Sequence, residues 1–239
     1  MSKELQKRIL SSIFLIPIAI FFIFQGTLFF VFFLSVFFLA TSYEWIKMNK
    51  IDFLKIIGIC YLFFAVIYEW YNMSKNNKLT RIFGIIFLFF SFFITFYLRE
   101  NSFNFFLLII VVCIFTDIGG YIFGKVFKGR KITKISPNKT YSGVIGSFLI
   151  SLIAGLIYLD YAGNRDILIK DHVKIFLLIL FISFVSQAGD IIISYFKRKA
   201  NLKNTGKILP GHGGLLDRID GLIFALPASY SLILIVGSI

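Results

Sequence analysis

The chain alternates between long apolar runs and short polar segments. Because a helix rises about 1.5 Å per residue, a run of roughly 20 apolar residues can cross the hydrocarbon core of a membrane. Runs that approach this length lie at residues 9–25, 27–43, 54–71, 82–98, 103–124, 142–160, 173–196 and 219–237. The pattern predicts an all-α polytopic integral membrane protein with about eight transmembrane helices.

Composition and charge support this class and exclude others. The 239 residues are 58% hydrophobic and 15% charged, and the net charge of +13 lies largely in short loops between apolar runs. Such loops set orientation and attract anionic lipid headgroups, so we do not infer nucleic-acid binding. Cys60 and Cys113 fall inside apolar runs and are expected to be buried, without a disulfide or zinc site. Lys3, Lys7 and Arg8 precede a run with no small-residue cleavage site, which predicts a retained first helix.

The polar residues divide the chain into two functional parts. Residues 1–102 are rich in Phe, Ile and Leu with almost no inward-facing polar residue, so we expect lipid-facing helices there. Residues 103–239 hold the polar positions within spans and the basic loops 125–141 and 197–216, so we expect the catalytic region there.

Asp117 lies inside an apolar span, where a carboxylate costs roughly 2.5–3.5 kcal/mol unless it faces a partner or a wet cavity. Tyr121 and Lys125 share its helix face, and Gly120 and Gly124 would allow another helix to approach closely. Both an interhelical salt bridge and a functional carboxylate fit this pattern.

The loop 125–141 contains six cations and no acid, which alone is typical of a topology-determining loop: Lys125, Lys128, Arg130, Lys131, Lys134 and Lys139. The turn-forming segment 136–140 goes beyond what a plain loop requires and favours involvement in an active site.

Two regular stripes follow. Gly143, Ser147, Ser151 and Gly155 recur every four residues, which predicts close helix packing. In the span 173–196 polar residues recur every three or four positions and predict a face that lines something wet: Ser183, Ser186, Gln187, Asp190, Ser194 and Lys197. A water-filled channel or a buried hydrogen-bond network would give the same stripe.

The densest polar segment runs from Ser194 to Asp220 and contains Leu209-Pro210-Gly211-His212-Gly213-Gly214 and then Asp217-Arg218-x-Asp220. With Lys197-Arg198, Lys203 and Gly206, it closely resembles the signature of phosphatidate cytidylyltransferases, or CDP-diacylglycerol synthases. A second block, Asp117-x-x-Gly120-Tyr121-x-x-Gly124-Lys125 followed by Ile135-Ser136-Pro137-Asn138-Lys139-Thr140-x-x-Gly143, resembles the other shared segment of that family. Glu44-Trp45 is a looser match. The chain departs from the family pattern at Asn204, where aspartate is usual, and at Ser142 and Ile118; we expect Asn204 to cap a turn as aspartate can.

The resemblance implies transfer of CMP from CTP to phosphatidic acid, giving CDP-diacylglycerol and pyrophosphate in phospholipid biosynthesis. Mg²⁺ is the implied cofactor, with room for a second metal ion, because every reactant is an anion. The implied metal ligands are Asp190, Asp217, Asp117 and Asp220. The implied catalytic residues are Asp190, Asp217, Lys197, Arg198, His212 and Arg218, and the implied substrate-binding residues are Lys125, Ser136, Lys139, Thr140, Ser194, Lys203, Gly211, Gly213 and Gly214. Backbone amides near His212 and at the start of the last helix are expected to face an oxyanion.

The expected partners are CTP, phosphatidic acid, membrane lipids and, optionally, a second copy of the chain in a homodimer. The two basic loops should lie on the same side of the inner membrane, because two spans separate them. That side should be the cytoplasm, where CTP is found, and the side of the N-terminus stays open. A CTP-dependent polyprenol kinase and an ion-coupled transporter are the alternatives.

Overall fold

The structure is a computed structural model that describes residues 3–48, 78–133, 136, 139–162, 172–209 and 213–236. Its helices are α1 (Lys3–Phe24), α2 (Thr27–Met48), α3 (Lys78–Asn101), α4 (Phe103–Phe127), α5 (Tyr141–Tyr161), α6 (His172–Lys199), α7 (Leu216–Ile219) and α8 (Leu222–Val236). The described residues contain no strand, which confirms the all-α prediction.

Among the described residues, five helices are long and apolar enough to cross a membrane: Thr27–Met48, Ile82–Asn101, Phe103–Phe127, Tyr141–Tyr161 and Val173–Lys199. They correspond to five of the predicted spans, and the protein is a multi-pass membrane protein. The apolar part of α1, Ile13–Phe24, is shorter. The span predicted at 54–71 lies outside the described residues, so the count of about eight is not confirmed.

The span predicted at 219–237 begins three residues late, because the helix is interrupted at Asp220 and Gly221. The amide of Gly221 donates to Asp220 Oδ1 at 3.0 Å, and the Gly221 carbonyl accepts from Ala225 N at 3.0 Å as α8 begins. A Cβ on Gly221 would lie 3.2 Å from the Ser186 carbonyl oxygen. Asp220 therefore lies in a turn packed against α6 rather than within a continuous helix.

The chain forms two contact units, Met1–Phe92 with Lys199–Arg218 and Phe93–Arg198 with Ile219–Ile239. In the first unit, Phe38 of α2 packs edge to face on Phe89 and Phe92 of α3, with ring centroids 6.1 and 5.8 Å apart. Trp45 is buried against Gly84. These units do not follow the predicted functional division at residue 102, which stays a prediction.

In the second unit, α4 and α5 pack together along the predicted small-residue stripe. A Cβ on Gly143 would lie 2.9 Å from the Gly120 carbonyl oxygen, and one on Gly120 would lie 2.7 Å from Ser147 Oγ. Ser147 Oγ also donates to the Thr116 carbonyl oxygen at 2.8 Å. The packing role predicted for these small residues is confirmed.

The segment between α4 and α5 folds back on itself. Ile132 N donates to the Lys139 carbonyl oxygen at 3.0 Å, and Tyr141 N donates to that of Arg130 at 3.1 Å. Thr140 caps α5, because its side chain accepts from Gly143 N at 3.1 Å. The fold-back fixes where Lys139 emerges.

Candidate active site

Asp190 of α6 is the centre of a polar cluster in the second unit. Its Oδ2 lies 2.7 Å from Lys139 Nζ, and Ser194 Oγ donates to its Oδ1 at 3.3 Å. Lys139 Nζ also donates to the Gln187 carbonyl oxygen at 3.1 Å. The side chains of Lys139 and Asp190 are 21% and 29% exposed, so the ion pair is largely shielded but reachable from outside. The basic loop and α6, both singled out in the sequence, therefore meet at one carboxylate.

Asp220 is the second carboxylate of this cluster. Its carboxyl group lies beside that of Asp190, close enough for each to act electrostatically on the other, and we call the two the carboxylate pair. Lys197, which is buried, and Asp117, which is exposed, both act on Asp220 electrostatically. Two adjacent carboxylates repel each other unless cations or a proton offset their charge, and Lys139 and Lys197 supply that positive charge.

The polar stripe of α6 has two different halves. Ser183 is 0% exposed and accepts a hydrogen bond from Thr116 Oγ1 at 2.9 Å, while Ser186 is 2% exposed and packs against Gly221. The prediction that the whole stripe lines something wet is therefore wrong for these serines, which join helices within the protein. Only the half from Gln187 to Lys197 reaches the carboxylate pair.

The glycine-rich loop, residues 200–215, belongs to the first unit. Leu209 and Gly213 exchange two backbone hydrogen bonds, with N to O distances of 2.9 and 3.1 Å. Gly213 has φ +91°, a left-handed conformation that side-chain-bearing residues rarely adopt. Asp217 Oδ2 accepts from Thr205 N at 2.9 Å and from Gly214 N at 3.0 Å, so Asp217 ties the two ends of the loop together.

Glu44 of α2 reaches the same loop. Its Oε1 accepts from Leu215 N at 2.8 Å, and its Oε2 accepts from Leu216 N at 2.8 Å and from Thr205 Oγ1 at 2.9 Å. The side chain is 0% exposed. In the sequence, Glu44-Trp45 was only a loose match to the family, and no functional role was predicted for Glu44. The signal for Glu44 was a single acidic residue at the end of an apolar run, because a buried carboxylate needs hydrogen-bond donors.

Four amides of this segment donate to protein acceptors. The amide of Gly213 donates to Leu209, that of Gly214 to Asp217, and those at 215 and 216 to Glu44. These four are therefore not directed at an oxyanion, while Gly211 and His212 lie outside the described residues and the role predicted for the amides around His212 stays a prediction.

The four predicted metal ligands divide between the two units: Asp117, Asp190 and Asp220 belong to the second unit and Asp217 to the first. Their role as ligands stays a prediction. Within the described residues, no cluster of three or more His, Cys, Asp or Glu side chains could hold a metal ion. The structure brings Asp190 and Asp220 together, places Asp117 within electrostatic reach of Asp220, and uses Asp217 to organise the loop.

The remaining predicted site residues take varied positions. Lys125 is exposed, with Nζ 3.4 Å from Tyr121 Oη, so the shared face predicted for these two residues is confirmed. The amide of Ser136 donates to Thr133 Oγ1 at 3.1 Å within the fold-back. Arg198, Lys203 and Arg218 are exposed.

Asn204 is also exposed, and no hydrogen bond links its side chain to another described residue. Its Cγ would lie 3.0 Å from a Cβ on Gly213. The predicted cap is instead supplied by Asp217, which accepts from the next amide along the chain. Cys113 is buried and free, as predicted, and Cys60 lies outside the described residues.

Comparison with known proteins identifies the family of this chain. Residues 74–236 match the model of the cytidylyltransferase family. Over 166 residues the chain is 33% identical to the phosphatidate cytidylyltransferase of Rickettsia typhi, covering 67% of this chain and 73% of that protein. It is 35% identical to the enzyme of the same name from Rickettsia bellii, covering 66% and 70%. It is 40% identical to that from Staphylococcus aureus strain COL, covering 54% and 48%. The chain belongs to the cytidylyltransferase family.

Proposed function

We propose that this protein transfers CMP from CTP to phosphatidic acid. A phosphate oxygen of phosphatidic acid attacks the α-phosphorus of CTP, the bond from that phosphorus to the bridging oxygen breaks, and pyrophosphate leaves. The product is CDP-diacylglycerol. The observation that carries the proposal is the carboxylate pair with Lys139 and Lys197 beside it in a family member.

The cations have two tasks in this reaction. Lys139 is held at Asp190 by a 2.7 Å ion pair, and its side chain is partly exposed, so it can contact a substrate phosphate without leaving the cluster. Lys197 offsets the charge of the carboxylate pair from within α6. Both lower the repulsion that two anionic substrates meet as they come together.

The carboxylate pair fits Mg²⁺. This ion prefers hard oxygen ligands and is commonly held by one or two carboxylates, with substrate phosphates and water completing its octahedron. Asp190 and Asp220 would hold it, and when bound it would neutralise charge on the phosphates of CTP. Ser194 orients Asp190 through its Oδ1.

The comparisons do not support the polyprenol kinase or the transporter. We further propose that loops 125–141 and 197–216 face the cytoplasm from the inner membrane, because CTP is made there and basic loops favour that side. Association of two copies stays a prediction.

Labelled CTP tests the reaction directly. Purified protein in liposomes containing phosphatidic acid should move label from α-³²P CTP into the lipid and leave γ-³²P label in pyrophosphate. Asp160→Asn, which alters an exposed carboxylate at the end of α5, serves as the matched control for Asp190→Asn. Entry of γ-label into lipid would show a kinase, and entry of neither label would refute both reactions.

A further inference from the structure

We propose that Glu44 is a positioning residue that holds the glycine-rich loop in the conformation transfer requires. The proposal rests on the function proposed above. Glu44 lies outside residues 74–236, the part that matches the family model. Helix α2 would therefore supply a functional element that the matched region does not contain.

The contacts of Glu44 use both carboxylate oxygens. Two accepted bonds come from successive backbone amides, Leu215 and Leu216, and the third comes from the Thr205 hydroxyl. Hydrogen bonds to an ionised acceptor are roughly twice as strong as neutral ones, and a fully buried carboxylate depends on them. Thr205 lies in the first half of the loop and Leu216 directly follows it, so one side chain holds two points of this segment that are eleven residues apart.

Two glycines of the loop make room for this carboxylate. A Cβ on Gly206 would lie 2.6 Å from Glu44 Oε1, and one on Gly214 would collide with Glu44 Oε2 and Thr205 Oγ1. Neither glycine has the positive φ found at Gly213, so backbone conformation does not account for them. The close approach of Glu44 explains why these positions cannot carry a side chain.

Glu44 and Asp217 act on the same stretch of backbone. Thr205 donates its hydroxyl to Glu44 and its amide to Asp217, and the Gly214 amide bonded to Asp217 directly precedes the two amides bonded to Glu44. Loss of the Glu44 carboxylate therefore frees backbone next to Asp217, which is how a residue of α2 reaches the transfer reaction.

Glu44→Gln is the informative substitution because it preserves shape. In either orientation of the amide, its NH₂ group replaces one oxygen and faces a backbone amide that can only donate, so Leu215 or Leu216 loses its acceptor. We expect kcat to fall about tenfold or more. Amide exchange, measured by mass spectrometry, should accelerate about tenfold in peptides covering 205–216 and stay unchanged in those covering α4 and α5.

Glu100→Gln is the control, since it makes the same chemical change at another glutamate near the end of an apolar helix, where Glu100 pairs with Arg99. Thr205→Val removes one of the three donors while keeping the Thr205 amide on Asp217, and it provides a milder test if Glu44→Gln does not fold. We expect kcat to fall about threefold to tenfold, because one hydrogen bond to Glu44 is lost. Its effect should be smaller in the Glu44→Gln background, because the two changes break a shared contact.

Exchange and activity separate the two proposals. If the wild-type protein transfers no label, the proposed function fails, while accelerated exchange confined to 205–216 still supports the contact made by Glu44. Wild-type kcat and exchange in Glu44→Gln would overturn the positioning role. So would equal acceleration in all helices, which would mark Glu44 as a residue of general stability.

Discussion

Replacing Lys139 by methionine tests the charge balance of the carboxylate pair. Methionine keeps much of the length and apolar character of lysine but removes the ammonium group that lies 2.7 Å from Asp190 Oδ2. Asp190 and Asp220 would then retain Lys197 as the cation acting on both. The bond from Lys139 to the Gln187 carbonyl oxygen would also be lost, and with it a tie between the fold-back and α6.

The structure sets the size of the effect. Two unit charges 2.7 Å apart attract by about 6 kcal/mol at an effective dielectric constant of about 20. Desolvation and solvent screening offset most of this, because the two side chains keep 21% and 29% of their exposure. The free energy of this ion pair is therefore intermediate between that of exposed pairs, which contribute up to about 1 kcal/mol, and that of buried pairs, whose disruption costs about 3–5 kcal/mol. A contribution of about 1.4–2.8 kcal/mol to the barrier would lower kcat/KM about 10-fold to 100-fold.

The assay is transfer from α-³²P CTP at varied CTP and varied phosphatidic acid. Lys131→Met is the control, because it removes an exposed cation from the same loop and changes the net charge equally. Lys139→Arg should restore part of the rate. Equal losses in Lys139→Met and Lys131→Met would refute the reasoning, since the loop would then act only through its total charge.

Five further substitutions test the site. Asp190→Asn and Asp217→Asn should each abolish transfer without preventing membrane insertion, the first by removing a proposed Mg²⁺ ligand and the second by releasing Thr205 and Gly214 of the loop. Turnover like wild type at saturating Mg²⁺ would remove Asp190 from the metal assignment, and in purified Asp217→Asn it would show that this loop contact is not needed for transfer. Lys197→Ala should raise KM or lower kcat about tenfold or more, because the buried cation offsets the charge of the carboxylate pair. Arg198→Ala, which removes an exposed cation, should have a smaller effect. Unchanged kcat and KM in both variants would mean that the two residues only determine membrane topology. Asn204→Asp should change activity by less than about tenfold, since the side chain is exposed to screening solvent; a larger gain with a lowered Mg²⁺ requirement would place this position in the metal site.

Features of the fold that follow from a repeating sequence pattern could be predicted from the sequence. The stripe from Gly143 to Gly155 has the period of a helix face, and it allows close packing of α5 on α4 at Gly143 and Ser147 and on Ile179 of α6 at Gly155. The spans likewise follow from the length of their apolar runs. The interruption at Asp220 did not show in that pattern, because it arises from a turn that packs against α6.

Partners distant in sequence could not be predicted. The cost of burying a carboxylate predicts that Asp190 and Glu44 each need donors or cations, but it does not say which. The resemblance grouped four aspartates by chemistry, whereas the structure pairs Asp190 with Asp220 and uses Asp217 to close the loop. Lys139 was identified in a basic loop, and only the fold-back brings its ammonium group to Asp190.

The bond between Thr205 and Glu44 spans 161 residues, which has a consequence for biosynthesis. At about 5–20 residues per second, the ribosome takes about 10–30 s to reach Thr205 after it has made Glu44. During that interval the carboxylate lacks the donors that later bury it, so the end of α2 must stay in contact with water. In chains that keep Glu44 and carry Ser42→Cys at the same buried end of α2, nascent chains arrested before residue 205 should therefore leave that cysteine open to a water-soluble thiol reagent, and chains arrested well beyond residue 216 should protect it.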